Sequence, residues 1–219
     1  MQPKQAISNE IQIPLSSVTL DGNLIVPAEA TGIVLFAHGS GSSRHSPRNK
    51  FVAETIRKAG LGTLLFDLLT QDEEAIDIQT RHLRFDIGML AERLIKTAKW
   101  VLAQKNTSDL RIGFFGASTG GGAALVAAAK LGIEAGAVVS RGGRPDLAGD
   151  ALSRVTAPTL LIVGEYDDVV IQLNREAFDQ LKCEKRLDIV PKATHLFEEP
   201  GALEEAARLA TDWFVEHLQ

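Results

Sequence analysis

The stretch that decides the fold is residues 111–131, which read RIGFFGASTGGGAALVAAAKL. Residues 111–115 have the length of a buried strand, and they are apolar after Arg111. Residues 119–131 are rich in alanine and predict a helix. A strand that turns sharply into a helix presents the turn at the edge of a parallel sheet, where functional groups collect. Residues 116–120 are therefore the first candidate for a functional site.

Ser118 lies at the centre of this turn, in the Gly-x-Ser-x-Gly pattern of residues 116–120. In such a pattern the serine occupies a strained strand-to-helix turn, with its hydroxyl raised above the sheet as a nucleophile. We expect Gly116 and Gly120 to be required, because a side chain at either position would collide with the neighbouring strand or the helix start. The alternative is a glycine-rich turn capped by Ser118 and Thr119. A Walker phosphate-binding loop is excluded because its Gly-Lys-Ser/Thr sequence is absent.

Strands and helices alternate on both sides of this turn. The predicted strands are 10–14, 17–20, 24–26, 33–37, 62–66, 111–115, 135–140, 159–163 and 185–190. The predicted helices are 48–59, 81–104, 119–131, 172–182 and 202–217. Residues 21–23 are predicted as a hairpin turn, and the acidic residues 72–77 as a solvated loop. This order predicts a single α/β domain over residues 1–219, with a mostly parallel sheet and helices on both of its faces.

Two further polar groups follow predicted strands near the end of the chain. His195 is the predicted general base, and Asp167, in the segment 164–168, is the acid predicted to accept its second N–H. Asp168 competes with Asp167, but Asp167 fits the Gly-x-x-Asp spacing better, and we interpret Asp168 as a turn or helix-start residue. The order Ser118, Asp167, His195 is the order of an α/β-hydrolase catalytic triad.

Residues 38–42, His-Gly-Ser-Gly-Ser, also follow a predicted strand. We predict that the backbone N–H groups of Ser40 and Thr119 form an oxyanion hole, which would hold the negative oxygen of a tetrahedral intermediate. A flexible glycine-serine turn is the alternative for this loop. His38 is predicted to have a structural hydrogen-bonding role. None of the five histidines has the spacing of a zinc site, so we predict no metal.

The chain resembles the α/β-hydrolases, specifically small, lidless members of the dienelactone hydrolase family, over residues 33–217. The motifs that carry the resemblance are HGSG at 38–41, GASTG at 116–120, GEYD at 164–167 and ATHLF at 193–197. The resemblance implies an α/β-hydrolase fold and hydrolysis of small esters or lactones without a cofactor. Dienelactone hydrolases proper use a cysteine nucleophile, whereas Ser118 stands here, and Cys183 at the end of a predicted helix cannot substitute. We therefore predict general carboxylesterase chemistry rather than cleavage of dienelactone itself.

Several arginines lie in loops at the same edge of the predicted sheet. Arg44, Arg141 and Arg144 are the predicted substrate-binding residues, with Arg48 beside them, because a guanidinium can hold a carboxylate or phosphate. The alternative is that these arginines pair with loop acids, of which the candidates are Asp146, Glu198 and Glu199. Residues 140–157 connect two strands too directly for a large cap domain, which predicts an open site suited to small or soluble esters.

Composition narrows the class of protein. Hydrophobic residues make up 45% of the 219 residues and charged residues 23%, as in soluble globular proteins. The formal net charge of -5 argues against a nucleic-acid partner, which would need a basic surface. We find no signal peptide and no apolar stretch near the ~20 residues that cross a bilayer, so we expect a cytoplasmic protein without a membrane partner. The oligomeric state is open, with a homodimer as one option.

Three other functions are compatible with the sequence. The same triad could cleave a thioester or a peptide. A hydrolase fold could also serve as a non-catalytic binding or scaffold module. A nucleotide-binding α/β protein is the third alternative, although the phosphate-loop and dinucleotide fingerprints are absent.

Overall fold

A computed structural model describes residues 6–219 of the chain. Its eight strands are β1 (Ile7–Pro14), β2 (Thr19–Val26), β3 (Gly32–Ala37), β4 (Gly62–Phe66), β5 (Arg111–Ala117), β6 (Ala135–Arg141), β7 (Thr159–Gly164) and β8 (Lys185–Val190). Its six α-helices are α1 (Pro47–Lys58), α2 (Gln71–Thr80), α3 (Ile87–Leu102), α4 (Thr119–Leu131), α5 (Asp168–Gln180) and α6 (Ala202–Leu218). The predicted alternation of strands and helices is confirmed.

All eight strands form one sheet in the order β1-β2-β4-β3-β5-β6-β7-β8. β2 pairs antiparallel with both β1 and β4, and every other neighbouring pair is parallel. The chain passes from β3 to β4 on one side and later adds β5 on the other side of β3. Such a reversal leaves a crevice outside the carboxyl ends of the two diverging strands. The loop after β3 and the turn after β5 therefore meet at that crevice.

Helices cover both faces of the sheet, which explains why its central strands are apolar throughout. Every residue of β3, β4 and β7 is buried. Alternate side chains point to opposite faces: Leu35 and Phe114 belong to the core beneath α3 and α4, whereas Phe36 and Phe115 belong to the core beneath α1 and α6. Burial on two faces replaces the alternating pattern of a half-exposed strand with a continuous apolar run.

The predicted hairpin turn at residues 21–23 is wrong. β2 runs without interruption through Gly22, and the turn lies earlier, where Leu15 N–H donates to Val18 O at 2.8 Å. A β-carbon at Gly22 would lie 3.2 Å from side-chain atoms of both Leu64 and Phe66. Glycine here therefore permits close packing against β4, rather than a reversal of the chain.

The predicted acidic loop at residues 72–77 is also wrong, because these residues form most of α2. The Thr70 hydroxyl accepts the Glu73 N–H at 3.2 Å, and the Glu73 carboxylate accepts the Thr70 N–H at 2.9 Å. This reciprocal pair is a capping box, which satisfies two N–H groups at the helix start. Acidic side chains in the first turn also interact favourably with the helix dipole.

Two other predicted helices begin at different residues in the structure. The predicted helix 81–104 begins instead at Ile87, where the Asp86 carboxylate accepts the Met89 N–H at 2.9 Å. A short 3₁₀ turn, Leu83–Phe85, precedes it. The predicted helix 172–182 begins four residues earlier, at Asp168.

The segment between β6 and β7 contains a ten-residue 3₁₀-helical stretch, Pro145–Arg154, and no cap domain. The predicted direct connection between these two strands, without a large cap domain, is therefore confirmed. Across residues 6–219, none of the helices has both the length and the apolar character needed to cross a membrane.

Candidate active site

Ser118 alone joins β5 to α4, with a φ of 51° and a ψ of -124°. A positive φ is uncommon for a residue with a side chain and costs about 1–3 kcal/mol, so the surroundings must impose it. The Ser118 carbonyl accepts N–H bonds from Gly121 and Arg144, each at 3.0 Å, and the Ser118 N–H donates to Arg141 O at 3.3 Å. The start of α4 and the end of β6 therefore hold the strained turn.

The two glycines of the turn are required for the reason that the sequence predicted. A β-carbon at Gly116 would lie 2.5 Å from the carbonyl oxygen of Gly120, at the start of α4. A β-carbon at Gly120 would lie 2.1 Å from the carbonyl oxygen of Ala37, at the end of β3. Both contacts are with backbone, which cannot rotate away. The turn is thus packed between its own helix and the neighbouring strand.

His195 and Asp167 lie side by side at the same edge of the sheet. His195 Nδ1 is 2.6 Å from Asp167 Oδ2, and the Asp167 side chain is 15% exposed. A proton on Nδ1 that is donated to the carboxylate leaves Nε2 as the acceptor on the other side of the ring. Asp168 is the exposed first residue of α5. The helix-start interpretation of Asp168 is confirmed.

The loops after β7 and β8 support this pair by direct contact. Tyr166 N–H donates to Ala193 O at 2.9 Å, and the Glu165 carboxylate accepts the Lys192 N–H at 2.6 Å. A β-carbon at Gly164 would lie 2.4 Å from the Ala193 carbonyl oxygen. The two loops can approach so closely only because residue 164 has no side chain.

Ser118 and His195 line one pocket of about 260 Å³. Ser40 and Arg141 line the same pocket, together with Asn49, which nothing in the sequence singled out. Asn49 lies in α1 and is 2% exposed. Sequence reasoning missed it because a lone asparagine in an amphipathic helix carries no pattern, and only tertiary packing turns it towards the pocket.

The predicted oxyanion loop lies against Ser118, and one of its N–H groups makes a hydrogen bond that the sequence did not predict. A β-carbon at Gly39 would lie 3.1 Å from the Ser118 Cβ, so the loop after β3 does approach the serine. The Ser40 N–H donates to the Thr119 hydroxyl at 3.0 Å. Thr119 is the first residue of α4, so its own N–H has no acceptor within the helix. One of the two predicted donors is therefore already engaged by a side chain.

His38 has the structural role that the sequence predicted. Its Nε2 accepts the Leu68 N–H at 3.0 Å, and its Nδ1 lies 3.0 Å from the Gly39 carbonyl oxygen. Burial lowers the pKa of His38 below its usual 6.5. A neutral ring satisfies both contacts, since one nitrogen donates and the other accepts. His38 thus ties the loop after β3 to the loop after β4.

Two of the three predicted substrate-binding arginines are paired with acids outside this pocket. Arg44 forms an ion pair and a backbone hydrogen bond with Asp67, in a neighbouring groove. Arg144 holds Asp146 through two hydrogen bonds of 2.8 and 2.7 Å. Each guanidinium is already paired with a carboxylate, so neither needs an anion from a substrate. For Arg44 and Arg144, the structure therefore agrees with the alternative of pairing with an acid of the chain rather than with substrate binding. The sequence anticipated Asp146 as a partner but not Asp67.

Arg141 differs from both of these arginines. It is 7% exposed and lies between two aromatic rings, with its guanidinium carbon 5.6 Å from the ring centre of Phe115 and 5.8 Å from that of Phe197. Its Nη2 donates to Asn49 Oδ1 at 3.4 Å, and its Nη1 is buried with no partner in the described part of the chain. Burial and the charge of Arg48 lower the pKa of Arg141 to about 10.

A larger groove of about 680 Å³ adjoins the Ser118 pocket and shares Ser42 and Ser46 with it. α2 supplies part of its wall through Ala75 and Ile78. Sequence reasoning missed this wall because it interpreted residues 72–77 as a loop. The signal that was available is the capping box at Thr70, described above.

One cluster of metal-binding side chain types occurs within residues 6–219, formed by Glu184, Glu216 and His217. Glu184 precedes β8, so the cluster lies at the opposite edge of the sheet from Ser118. Both carboxylates are exposed, and groups of this kind are common at protein surfaces. It is unrelated to the pocket that Ser118 lines.

Comparisons with known proteins agree with this architecture. A dienelactone hydrolase from Anabaena variabilis is 60% identical and superposes with a TM-score of 0.96, over 98% of this chain and 100% of the other. Est1E from Butyrivibrio proteoclasticus shares the fold at 16% identity, with a TM-score of 0.79 over 95% of this chain and 98% of the other.

A protein from Mycobacterium tuberculosis, named "Putative phosphoribosyl transferase", is 56% identical over 209 residues. That match covers 95% of this chain but 46% of the relative, so the chain spans less than half the length of that protein. The name therefore describes a longer protein than the region that is shared.

The sequence profile of the dienelactone hydrolase family matches residues 20–219, from β2 to the end of the chain. The match includes the turn at Ser118 and the loops that carry Asp167 and His195. The chain belongs to the dienelactone hydrolase family.

Proposed function

We propose that the protein is a serine hydrolase that cleaves small carboxylic esters or lactones through an acyl-enzyme intermediate. One observation carries the proposal: Ser118, on a strained turn, shares a pocket with His195, whose Nδ1 lies 2.6 Å from Asp167. A serine hydroxyl is a weak nucleophile unless an adjacent base removes its proton. A histidine oriented by a carboxylate is the common form of that base.

In the first half-reaction, the Ser118 oxygen forms a bond to the carbonyl carbon while His195 Nε2 takes the hydroxyl proton. The carbonyl electron pair moves to its oxygen, which becomes the oxyanion of a tetrahedral intermediate. Collapse of this intermediate breaks the bond to the alcohol, and His195 gives its proton to the leaving oxygen. Asp167 stays ionised and stabilises the imidazolium.

In the second half-reaction, water replaces the alcohol. His195 takes a proton from the water, whose oxygen attacks the acyl carbon of the ester on Ser118. The second tetrahedral intermediate releases the carboxylic acid, and the proton returns from His195 to the Ser118 oxygen. A lactone follows the same steps, with the alcohol and the acid in one product.

The oxyanion is stabilised by the backbone N–H groups of Thr119 and Ser40. Because the Ser40 N–H donates to the Thr119 hydroxyl in the free protein, binding of a carbonyl requires that donor to change its acceptor. A rotation of the Thr119 side chain releases it. An N–H already directed at an oxygen near the serine supports the assignment, since a hole of this kind needs donors fixed before the reaction.

The expected substrates are small. A pocket of about 260 Å³ holds a short acyl or alcohol group, and the adjoining groove of about 680 Å³ offers room for the other part of the molecule. The proposal covers thioesters as well as oxygen esters, because the same attack and proton transfers apply to both. A panel of p-nitrophenyl esters, a thioester and a peptide anilide separates these cases.

The test uses a fluorophosphonate probe, which labels activated serines, and the hydrolysis of p-nitrophenyl acetate and butyrate. We expect the wild-type protein to be labelled and to hydrolyse both esters, and Ser118→Ala to lose labelling and turnover. Ser108→Ala, in an exposed turn, is the control and keeps both activities.

Equal turnover by wild type and Ser118→Ala would show that another group attacks the ester. A wild-type protein that neither binds the probe nor hydrolyses any ester of the panel would favour the non-catalytic scaffold instead.

A further inference from the structure

Arg141 is a buried cation whose hydrogen-bonding groups are mostly unused. A guanidinium has five N–H groups. In the described chain, the side chain makes one hydrogen bond, at 3.4 Å to Asn49, which is near the limit for such a bond. Its Nη1 is buried without a partner. Other arginines at the same edge of the sheet, Arg44, Arg48 and Arg144, each hold a carboxylate.

A buried guanidinium that lacks hydrogen-bond acceptors is energetically unfavourable. A buried charge is normally paired, because burial removes the water that would otherwise solvate it. The rings of Phe115 and Phe197 offer only their faces to the guanidinium, which leaves its edge without acceptors. A nearby positive charge, Arg48, adds repulsion rather than compensation. The local environment thus favours an anion beside Arg141.

The position of Arg141 in the Ser118 pocket indicates that the anion is part of a bound substrate. Arg141 lines the pocket that Ser118 and His195 also line, so a molecule bound in this pocket lies beside both Ser118 and Arg141. In β6, Arg141 pairs in register with Ala117, the residue immediately before the nucleophile. The arginine and the serine are therefore fixed relative to each other by the sheet.

We propose that Arg141 is an anion-binding residue of this pocket, and that the natural substrates are esters carrying a carboxylate or phosphate group close to the bond that is cleaved. This inference rests on the proposed hydrolase function of the same pocket. Arg141 contacts the substrate's anionic group and takes no part in proton transfer. Asn49 positions the guanidinium through its side-chain oxygen.

The direct test measures binding without turnover. Succinate and inorganic phosphate are titrated into wild type, Arg141→Met and Arg144→Met by calorimetry, with neutral succinamide as the uncharged analogue of succinate. Methionine keeps an apolar stem between the two rings, and Arg144 is the matched control because it follows the same strand and is already paired with Asp146. We expect Arg141→Met to bind the anion about 10–100-fold more weakly, and Arg144→Met to match wild type.

The two anions distinguish the source of the negative charge. Tighter binding of succinate indicates carboxylate-bearing esters, and tighter binding of phosphate indicates phosphate-bearing ones. In turnover, the ratio of kcat/KM for p-nitrophenyl hydrogen succinate to that for p-nitrophenyl butyrate should fall about 10–100-fold in Arg141→Met. A loss that affected both esters equally would indicate a structural role in packing and would overturn the proposal.

The remaining outcomes are also decisive. If wild type binds neither anion more tightly than Arg141→Met, the subsite does not exist, even if neutral esters are hydrolysed and the serine hydrolase proposal stands. If Ser118 proves unreactive, the calorimetric comparison still decides whether Arg141 binds an anion. Should Arg141→Met fail to fold, Arg141→Lys replaces it. Competition against p-nitrophenyl butyrate in wild type, by succinate but not by succinamide, then supports the subsite, and equal competition by the two overturns it.

Discussion

Gly120 is a position where two physical effects oppose each other and the structure decides which is larger. Alanine is favoured over glycine inside a helix by up to ~1 kcal/mol, so Gly120→Ala at the second residue of α4 should stabilise an isolated helix. In the folded protein, however, the new β-carbon would lie 2.1 Å from Ala37 O and 2.7 Å from His38 O. Both are backbone atoms of β3 and of the loop that follows it.

The overlap of the new β-carbon with this backbone determines whether Gly120→Ala raises or lowers the free energy of unfolding. Overpacking a well-packed site costs about 1–3 kcal/mol, and a clash with backbone belongs at the upper end because no side chain can rotate to relieve it. A cost of about 3 kcal/mol less a gain of about 1 kcal/mol gives a net loss of about 2 kcal/mol in the free energy of unfolding. For a chain of this size, that loss lowers Tm by roughly 4–8 °C.

Gly88→Ala is the matched control, because Gly88 is likewise the second residue of a helix, α3. Its β-carbon would meet nothing closer than Asp86 Oδ1 at 3.5 Å, which is an ordinary contact. We expect this variant to raise Tm by up to about 4 °C. Thermal unfolding followed by circular dichroism measures both shifts. A Gly120→Ala protein as stable as wild type, beside a stabilised Gly88→Ala, would refute the argument that backbone contact requires glycine at residue 120.

Three further predictions concern the site and its supports. Asp167→Asn should lower kcat for p-nitrophenyl acetate by up to about 10⁴-fold with little change in Tm, because the histidine loses its orienting carboxylate. In the control variant Asp168→Asn, kcat should stay within about threefold of wild type. Equal losses in the two variants would mean that Asp167 is not the orienting acid. Thr70→Ala removes half of the capping box at the start of α2. Hydrogen exchange of the α2 amides should therefore accelerate by a factor corresponding to about 1 kcal/mol. Unchanged exchange would mean that the capping box does not stabilise this helix. Burial lowers the pKa of His38 below 6.5, so the unfolded chain binds more protons than the native protein and the free energy of unfolding should fall as pH drops below about 6.5. Urea unfolding of wild type and His38→Gln from pH 8 to pH 5 measures this slope, which should be shallower in the variant.

The serine, histidine and aspartate of the candidate site were identifiable from sequence because each lies in a loop or turn that follows a predicted strand. Parallel strands end at a common edge, so residues far apart in sequence, such as Ser118 and His195, are predicted to be neighbours without any knowledge of their contacts. The same logic places the arginines at that edge. It does not say which of them faces the pocket, because pairing depends on side-chain directions in loops.

The errors share a cause, which is that a local pattern has more than one physical explanation. Gly22 was interpreted as a turn because glycine permits unusual backbone angles, but it serves close packing against β4. The acidic run after Thr70 was interpreted as solvated, but its carboxylates stabilise a helix start and pair with Arg84 and Arg93. The partners lie several to twenty residues away, beyond what local composition reports.

The sequence by itself determined the α/β class, the order of the elements and the residues at the strand ends, because these follow from the periodicity of burial and from glycines at sharp turns. Only the tertiary structure decided that Arg44 and Arg144 are neutralised by acids while Arg141 is buried without one. It also decided that the Ser40 N–H is engaged by Thr119. Hydrogen bonds and ion pairs depend on distances of a few tenths of an ångström between atoms from separate loops, and no spacing along the chain encodes such distances.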